Sequence, residues 1–137
     1  GGDILWNETI GCRLQADESA DLMSVDAALL DGNRLLYVRI LKDGVTVSEN
    51  TFYTRFPKEY EYGCPEISFE VQECAEGLEL TVSSDRLARG LYLFSDNADD
   101  FFEDNYMDLL PGFPRKITVR TGSTAEEFKT TLKYQTL

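Results

Sequence analysis

The sequence predicts an all-β chain, built as immunoglobulin-like β-sandwich modules with one short helix near the C-terminus. Short alternating apolar segments recur along its length, turn residues punctuate them, and a single stretch carries a helix-start signature. The 137 residues suffice for one ordinary domain or two small ones. With 42% hydrophobic and 12% aromatic residues the chain supports a packed core and is not expected to be disordered.

Residues 3–15 (DILWNETIGCRLQ) open with Ile4, Leu5 and Trp6 and read as an extended strand, broken near Gly11. A polar turn follows, and the spacing of Leu22, Val25, Leu29 and Leu30 fits a short helix or a strand; we read it as strand plus turn. Asp31–Gly32–Asn33 is a turn. Residues 34–42 (RLLYVRILK) form the clearest strand of the first half, with Leu36, Val38 and Ile40 on one face. Asp43–Gly44 is a hairpin signal leading into Val45–Val47, and Asn50–Phe56 continues the β pattern.

Residues 57–65 (PKEYEYGCP) hold two prolines and a glycine without periodicity, and are read as a linker. Beyond it, Ile67, Phe69 and Val71 alternate inward, Glu76–Gly77 makes a turn, and Leu78, Leu80 and Val82 line one side of the next strand. Leu91–Phe94 is an apolar run of strand length, and Arg115–Arg120 a further strand with Ile117 and Val119 on one face. Between them lies an acidic and aromatic loop, then Pro111–Gly112, whose order suits a type II turn. Ser123 followed by Glu126 predicts a capping box and a helix through about Thr131, with Leu132–Leu137 as a closing strand.

A net charge of −12 argues against nucleic-acid binding and against docking on anionic membranes. Histidine is absent, which removes Ser-His-Asp and Cys-His catalysis and histidine metal ligation. Cys12, Cys64 and Cys74 lack CxxC spacing, so no thiolate zinc site is expected. A Cys64–Cys74 bridge is open to them in an oxidising compartment, but free, partly buried thiols are the preferred reading. The run DNADDFFEDN lacks the ligand spacing of a calcium loop, so no metal and no cofactor is expected. No apolar run is long enough to span a bilayer. Gly1–Gly2 reads as a tag remnant, so the missing signal peptide carries no information about the parent protein.

The acidic loop supplies candidates for chemistry. Glycoside hydrolysis needs two carboxyl groups across the sugar bond, and Asp96, Asp99, Asp100, Glu103, Asp104 and Asp108 lie in or next to this loop. Clustered carboxylates on a hydrophilic loop are more simply a solvated surface, and no residue is assigned a catalytic role. Phe101, Phe102, Tyr106 and Trp6 can stack on sugar rings or pack in a core. Because adjacent residues of an extended backbone face opposite ways, Phe101 and Phe102 cannot both point inward. Phe101, Phe102, Asp99 and Asp100 are therefore the candidates for a sugar contact or an interdomain contact. Asp104, Asn105 and Asp108 are expected to hydrogen-bond the backbone around the Pro111 corner, with Tyr106 buried against Leu110.

The stretch SDNADDFFEDNYMDLLPGFPRKITV resembles the last domain of β-mannosidase-type enzymes of glycoside hydrolase family 2. There an Ala-Arg-x-Tyr-Leu strand, matched by Ala88, Arg89, Tyr92 and Leu93, leads to a DNYFDLLPGE corner. Asp104, Asn105, Tyr106, Asp108, Pro111 and Gly112 match that corner; Met107 and Phe113 depart from it, and ADDFFE enlarges the loop before it. LKDGVTVSENTFYTRFPKEY is similar to the end of the family's penultimate domain, and Glu127, Phe128, Leu132 and Leu137 to its C-terminal tail.

The resemblance implies residues 3–62 as part of a penultimate immunoglobulin-like domain, N-terminally incomplete, and residues 63–137 as the C-terminal one. It implies a non-catalytic, structural segment of a hydrolase acting on terminal β-mannosides or related β-glycosides. The family's catalytic glutamates sit on a separate (β/α)8 barrel outside this stretch. Expected partners are that barrel and the other domains of the parent chain, with mannosidic glycans and self-association through unpaired strand edges as further ones. The alternatives are a carbohydrate-binding module and an extracellular immunoglobulin-type interaction domain. A periplasmic or extracellular location is favoured.

Overall fold

A computed structural model describes residues 2–60 and 63–137. By its contacts the chain divides into two units, Ile4–Glu61 on one side and Tyr62–Leu137 together with Gly1–Asp3 on the other. The sequence-based linker at residues 57–65 includes Glu61 and Tyr62, which lie outside the described residues; within it, Pro57–Glu59 forms a 3-10 turn.

The second unit is the sandwich. Strand β3 (Ile67–Cys74) pairs with β4 (Gly77–Ser84) through a tight turn, Val71 facing Leu80. β5 (Ala88–Ser95) is followed by two short strands, β6 (Phe101–Phe102) and β7 (Met107–Leu109), then by β8 (Arg115–Arg120), α1 (Ala125–Thr131) and β9 (Leu132–Gln135). The strands form a four-stranded sheet β3-β4-β8-β6 and a three-stranded sheet β7-β5-β9. Period-two alternation turns Leu78, Leu80, Val82, Ile117 and Val119 from the first sheet into one core with Leu91, Leu93, Met107 and Leu109 from the second. At about 1.5–3 kcal/mol for each large apolar side chain taken out of water, this shared core dominates the unit's stability.

β6 and β7 fall inside the stretch read as loop, being too short for a periodic signal. In β5, Ala88 and Leu91 are both buried although an odd number of positions apart. The register shifts between them, and Gly90 takes φ 55°, so a bulge carries the strand from one phase to the other.

The helix begins one residue later than Ser123 predicted. The sequence carries two overlapping Ser/Thr-x-x-Glu boxes, and the second forms: Thr124 Oγ1 accepts from Glu127 N–H at 3.3 Å, and Thr124 N–H donates to the Glu127 carboxylate at 2.9 Å. Ser123 N–H is instead taken by the Thr121 hydroxyl at 3.0 Å. The helix thereby delivers Phe128, fully buried, to the core.

The first unit is sparser. β1 (Leu35–Lys42) and β2 (Val45–Tyr53) form an antiparallel hairpin closed by Asp43 and Gly44, whose φ values of 53° and 79° are those of a type I′ turn. Tyr60 is the unit's anchor among the described residues. It is 7% exposed, packs edge-on against Tyr53, accepts from Thr54 N–H at 3.0 Å and donates to the Arg34 carbonyl. The strand expected at residues 3–15 does not form, and residues 21–30 end in a 3-10 turn, Ala27–Leu30, capped by Asp26. Alternation stabilises a strand only where a neighbouring strand takes its hydrogen bonds and a face takes its side chains; these segments have neither.

Candidate functional site

The acidic loop begins where β5 ends at Ser95. A turn from Asn97 to Asp100, closed by Asp100 N–H on the Asn97 carbonyl at 3.2 Å, returns the chain to β6. There Phe101 and Phe102 pair with Arg120 and Val119 of β8. The two rings diverge as strand neighbours must: Phe102 packs on the core, its ring 6.0 Å from that of Phe128, while Phe101 is 57% exposed.

Most carboxylates of the loop are committed to the protein's own donors. Asp100 accepts from the Ser95 hydroxyl at 2.6 Å, the Thr121 hydroxyl at 2.5 Å and the Asn97 side-chain amide at 3.0 Å. Asp96 pairs with Lys133, Glu103 with Arg120 at 3.2 Å, and Asp104 with Arg115 at 3.0 Å. The Arg120 guanidinium also lies over the Phe101 ring, 5.8 Å from its centre. Asp99 contributes its backbone N–H to the Asn97 side-chain oxygen. The result is a loop tied together by its own charges rather than two carboxyl groups poised across a substrate.

The residues after the loop work on β5. Asn105 spans one residue of that strand: its side-chain oxygen accepts from Leu93 N–H and its amide donates to the Leu93 carbonyl, both at 2.7 Å. Asp108 accepts from Gly90 N–H at 2.9 Å and sits 3.7 Å from the Arg89 guanidinium. The β5–β7 ladder is interrupted at the bulge, and these two side chains supply bonds to β5 that the ladder does not. The role expected from sequence is met in part: Asn105 Oδ1 also accepts from Tyr106 N–H at 3.1 Å inside the corner stretch. At the turn itself Phe113 N–H donates to the Leu110 carbonyl at 3.2 Å and Gly112 takes φ 80°. Of the corner acids, Asp104 accepts from Asn105 N–H at 2.9 Å.

Tyr106 also departs from expectation. It is 72% exposed rather than buried against Leu110, and its φ is 54°, a left-handed value uncommon for a large side chain. Its ring stacks on Tyr92 at 4.6 Å, and Tyr92 stacks on Phe94 at 5.6 Å. In the sequence the row is hidden, because Tyr92 and Phe94 fall within the apolar run Leu91–Phe94. With Leu91 and Leu93 facing the core, the same alternation assigns Tyr92 and Phe94 to the outer face.

Beside this row lies a shallow open cleft of about 260 Å³, lined by Tyr92, Phe94, Ser95, Asn97, Asp100 and Phe101 among others. It brings together three of the four candidate contact residues, Asp100, Phe101 and Phe102, and not Asp99. Trp6 belongs to the other unit. Among the described residues no group of three or more Cys, Asp or Glu side chains could hold a metal ion. The three cysteines are free and exposed rather than partly buried. No helix is long and apolar enough to cross a membrane.

Residues 64–137 match the family model Ig_mannosidase, described as an Ig-fold domain. Among solved structures the chain is similar to the β-D-mannosidase from Dictyoglomus thermophilum, with 22% identity and a TM-score of 0.69. That match covers 77% of this chain and 13% of the enzyme, so the chain spans a small fraction of the enzyme's length; at this identity the likeness speaks for the fold. No curated protein matches the chain.

Proposed function

Because the chain belongs to the family of mannosidase Ig-fold domains, we propose that it is the non-catalytic C-terminal β-sandwich segment of a longer β-mannosidase-type glycoside hydrolase. In this reading the parent hydrolyses terminal β-mannosides or related β-glycosides on a catalytic barrel elsewhere in its chain. Residues 63–137 are its last domain, and residues 3–62 are part of the domain before it. The segment's work is structural: a rigid sandwich that packs against the barrel and the other domains of the same chain.

The observation that carries this reading is the state of the acidic loop. Asp96, Asp100, Glu103 and Asp104 each engage a donor of the protein itself, which supports a structural surface over a pair of carboxyl groups set for glycoside hydrolysis. Phe101, with Asp99 beside it in the loop, is then a contact for a neighbouring domain. The open cleft along Tyr92 and Phe101 favours a second reading, a carbohydrate-binding module in which rings stack on sugar C–H faces.

Two assays separate these readings. Purified chain is incubated with an aryl β-mannoside, and titrated with manno-oligosaccharides by calorimetry or NMR beside Phe101→Ala and Phe101→Ala/Phe102→Ala. The scaffold reading expects no turnover and no saturable binding at millimolar sugar. Saturable binding lost in Phe101→Ala replaces it with the binding module, and turnover abolishable by Asp100→Asn overturns both.

A further inference from the structure

The chain contains two Asp–Gly steps, Asp31–Gly32 and Asp43–Gly44. Such a step carries chemistry of its own. The glycine amide nitrogen can attack the carboxyl of the preceding side chain, and with no Cβ on glycine nothing hinders the approach. How fast this happens depends on whether the fold holds the two groups together.

The two steps are held differently. Asp31 ends the 3-10 turn Ala27–Leu30, with its N–H on the Ala28 carbonyl at 3.4 Å. Its side chain turns back on the next peptide: Gly32 N–H donates to Asp31 Oδ1 at 2.9 Å. Nitrogen and carboxyl are thus already in contact, in an irregular connection that ends where β1 begins at Leu35. Asp43–Gly44 is pinned instead. Its residues hold the φ values of the type I′ turn, and the ladder closes on it at once, with Lys42 against Val45 and Leu41 against Thr46. Closing a five-membered ring there means rotating the Asp43 backbone out of that turn, which opens the hairpin end.

We propose that the fold directs spontaneous backbone isomerisation to Asp31 and protects Asp43 from it. From the acid form of Asp31, Gly32 N bonds to Cγ, the Cγ–OH bond breaks, and water leaves with the amide proton. The product is a cyclic imide. Water then adds at one of its two carbonyl carbons. Cleaving the bond between nitrogen and Cγ restores aspartate. Cleaving the bond between nitrogen and the backbone carbonyl carbon leaves isoaspartate, whose chain runs on through Cβ and Cγ. Water is the only co-reactant, and the overall change alters neither mass nor formal charge. The carboxylate now sits on Cα and the backbone is longer by one methylene. Both the pairing of Asp31 with Arg55, at 3.4 Å, and the entry into β1 are thereby displaced. The inference rests on contacts between adjacent residues, and it stands or falls separately from the glycosidase reading.

The purified chain is aged in neutral buffer at physiological temperature, folded and in concentrated urea. Isoaspartate is quantified with an isoaspartyl methyltransferase, which methylates its free α-carboxylate, and located by electron-transfer fragmentation of peptides. The expected result in the folded chain is isoaspartate forming at least about fivefold faster at Asp31 than at Asp43. Asp31→Glu, whose longer side chain would need a six-membered ring, loses most of the methyl acceptance. In urea both steps are flexible, and their rates come within about twofold of each other. Equal rates in the folded chain overturn the proposal, as do faster ageing at Asp43, no isoaspartate at Asp31, or undiminished methyl acceptance in Asp31→Glu. A ratio that survives urea overturns it too, since the neighbouring sequence rather than the fold would then set the rate.

Discussion

β4 and β1 are strands of equal length and similar alternation, and they end in opposite states. In β4, Leu78, Leu80 and Val82 are essentially removed from water because β3 and β8 flank the strand and a second sheet covers its inner face. In β1, Val38 is 42% and Ile40 59% exposed, with one neighbouring strand and no covering sheet among the described residues. The difference lies in the neighbours rather than in the strands. Apolar alternation states what a segment can bury, while stability comes from what is there to bury it. The C-terminal unit is a closed hydrophobic system, and the hairpin, anchored by Tyr60, is an open one.

Substitutions that strike only one region break this contrast or sharpen it. Phe128→Ala removes the largest fully buried side chain of the sandwich and is expected to cost about 3–5 kcal/mol in urea denaturation. The Leu36–Phe52 cross-strand contact of the hairpin should persist in its NMR spectra, since the two regions are stabilised separately. Gly77→Ala comes next. At φ 138° the added Cβ would lie 2.4 Å from the Val119 carbonyl oxygen, so β4 and β8 must separate, at about 2 kcal/mol or more.

Asn105→Ala strips two 2.7 Å bonds from Leu93 and should cost about 2 kcal/mol by thermal unfolding. Thr124→Ala loses the helix cap, about 1 kcal/mol. The smallest effect is electrostatic. Glu66 N–H donates to Asp85 at 2.8 Å, and this bond, helped by the Arg86 guanidinium, holds the Asp85 carboxyl below its ordinary value. A lowered folded value means that folding favours the ionised form. Its stabilisation is present above the ordinary carboxylate range and is lost as pH falls through the folded value. Asp85→Asn should therefore be less stable than the parent at neutral pH, with the gap closing as pH falls below the ordinary carboxylate range in pH-dependent denaturation.

Much of the sandwich was readable because its strands obey one rule over enough residues. Ile67–Val71, Leu78–Val82 and Ile117–Val119 alternate cleanly within β3, β4 and β8. Where the chemistry was non-local, reading failed. Asn105 and Asp108 looked like turn residues, and nothing local says that their side chains reach back to Leu93 and Gly90. Tyr106 looked like core because aromatics usually are; its exposure follows from a left-handed backbone set by the corner. The first 30 residues misled in the opposite way, offering strand-like composition with no strand beside it. The family signature lay in the Asp104–Gly112 corner, which belongs to the matched stretch 64–137.

Residue-resolved hydrogen exchange on the whole chain tests the closed-against-open account most directly. The account predicts that the amides of Leu80, Leu91, Leu93 and Val119 exchange only through global unfolding of the sandwich. Those of Leu36, Val38 and Ile40 should exchange at least about a hundredfold faster by local opening. Equal protection of β1 and β4 would contradict it, and would mean that the hairpin is covered.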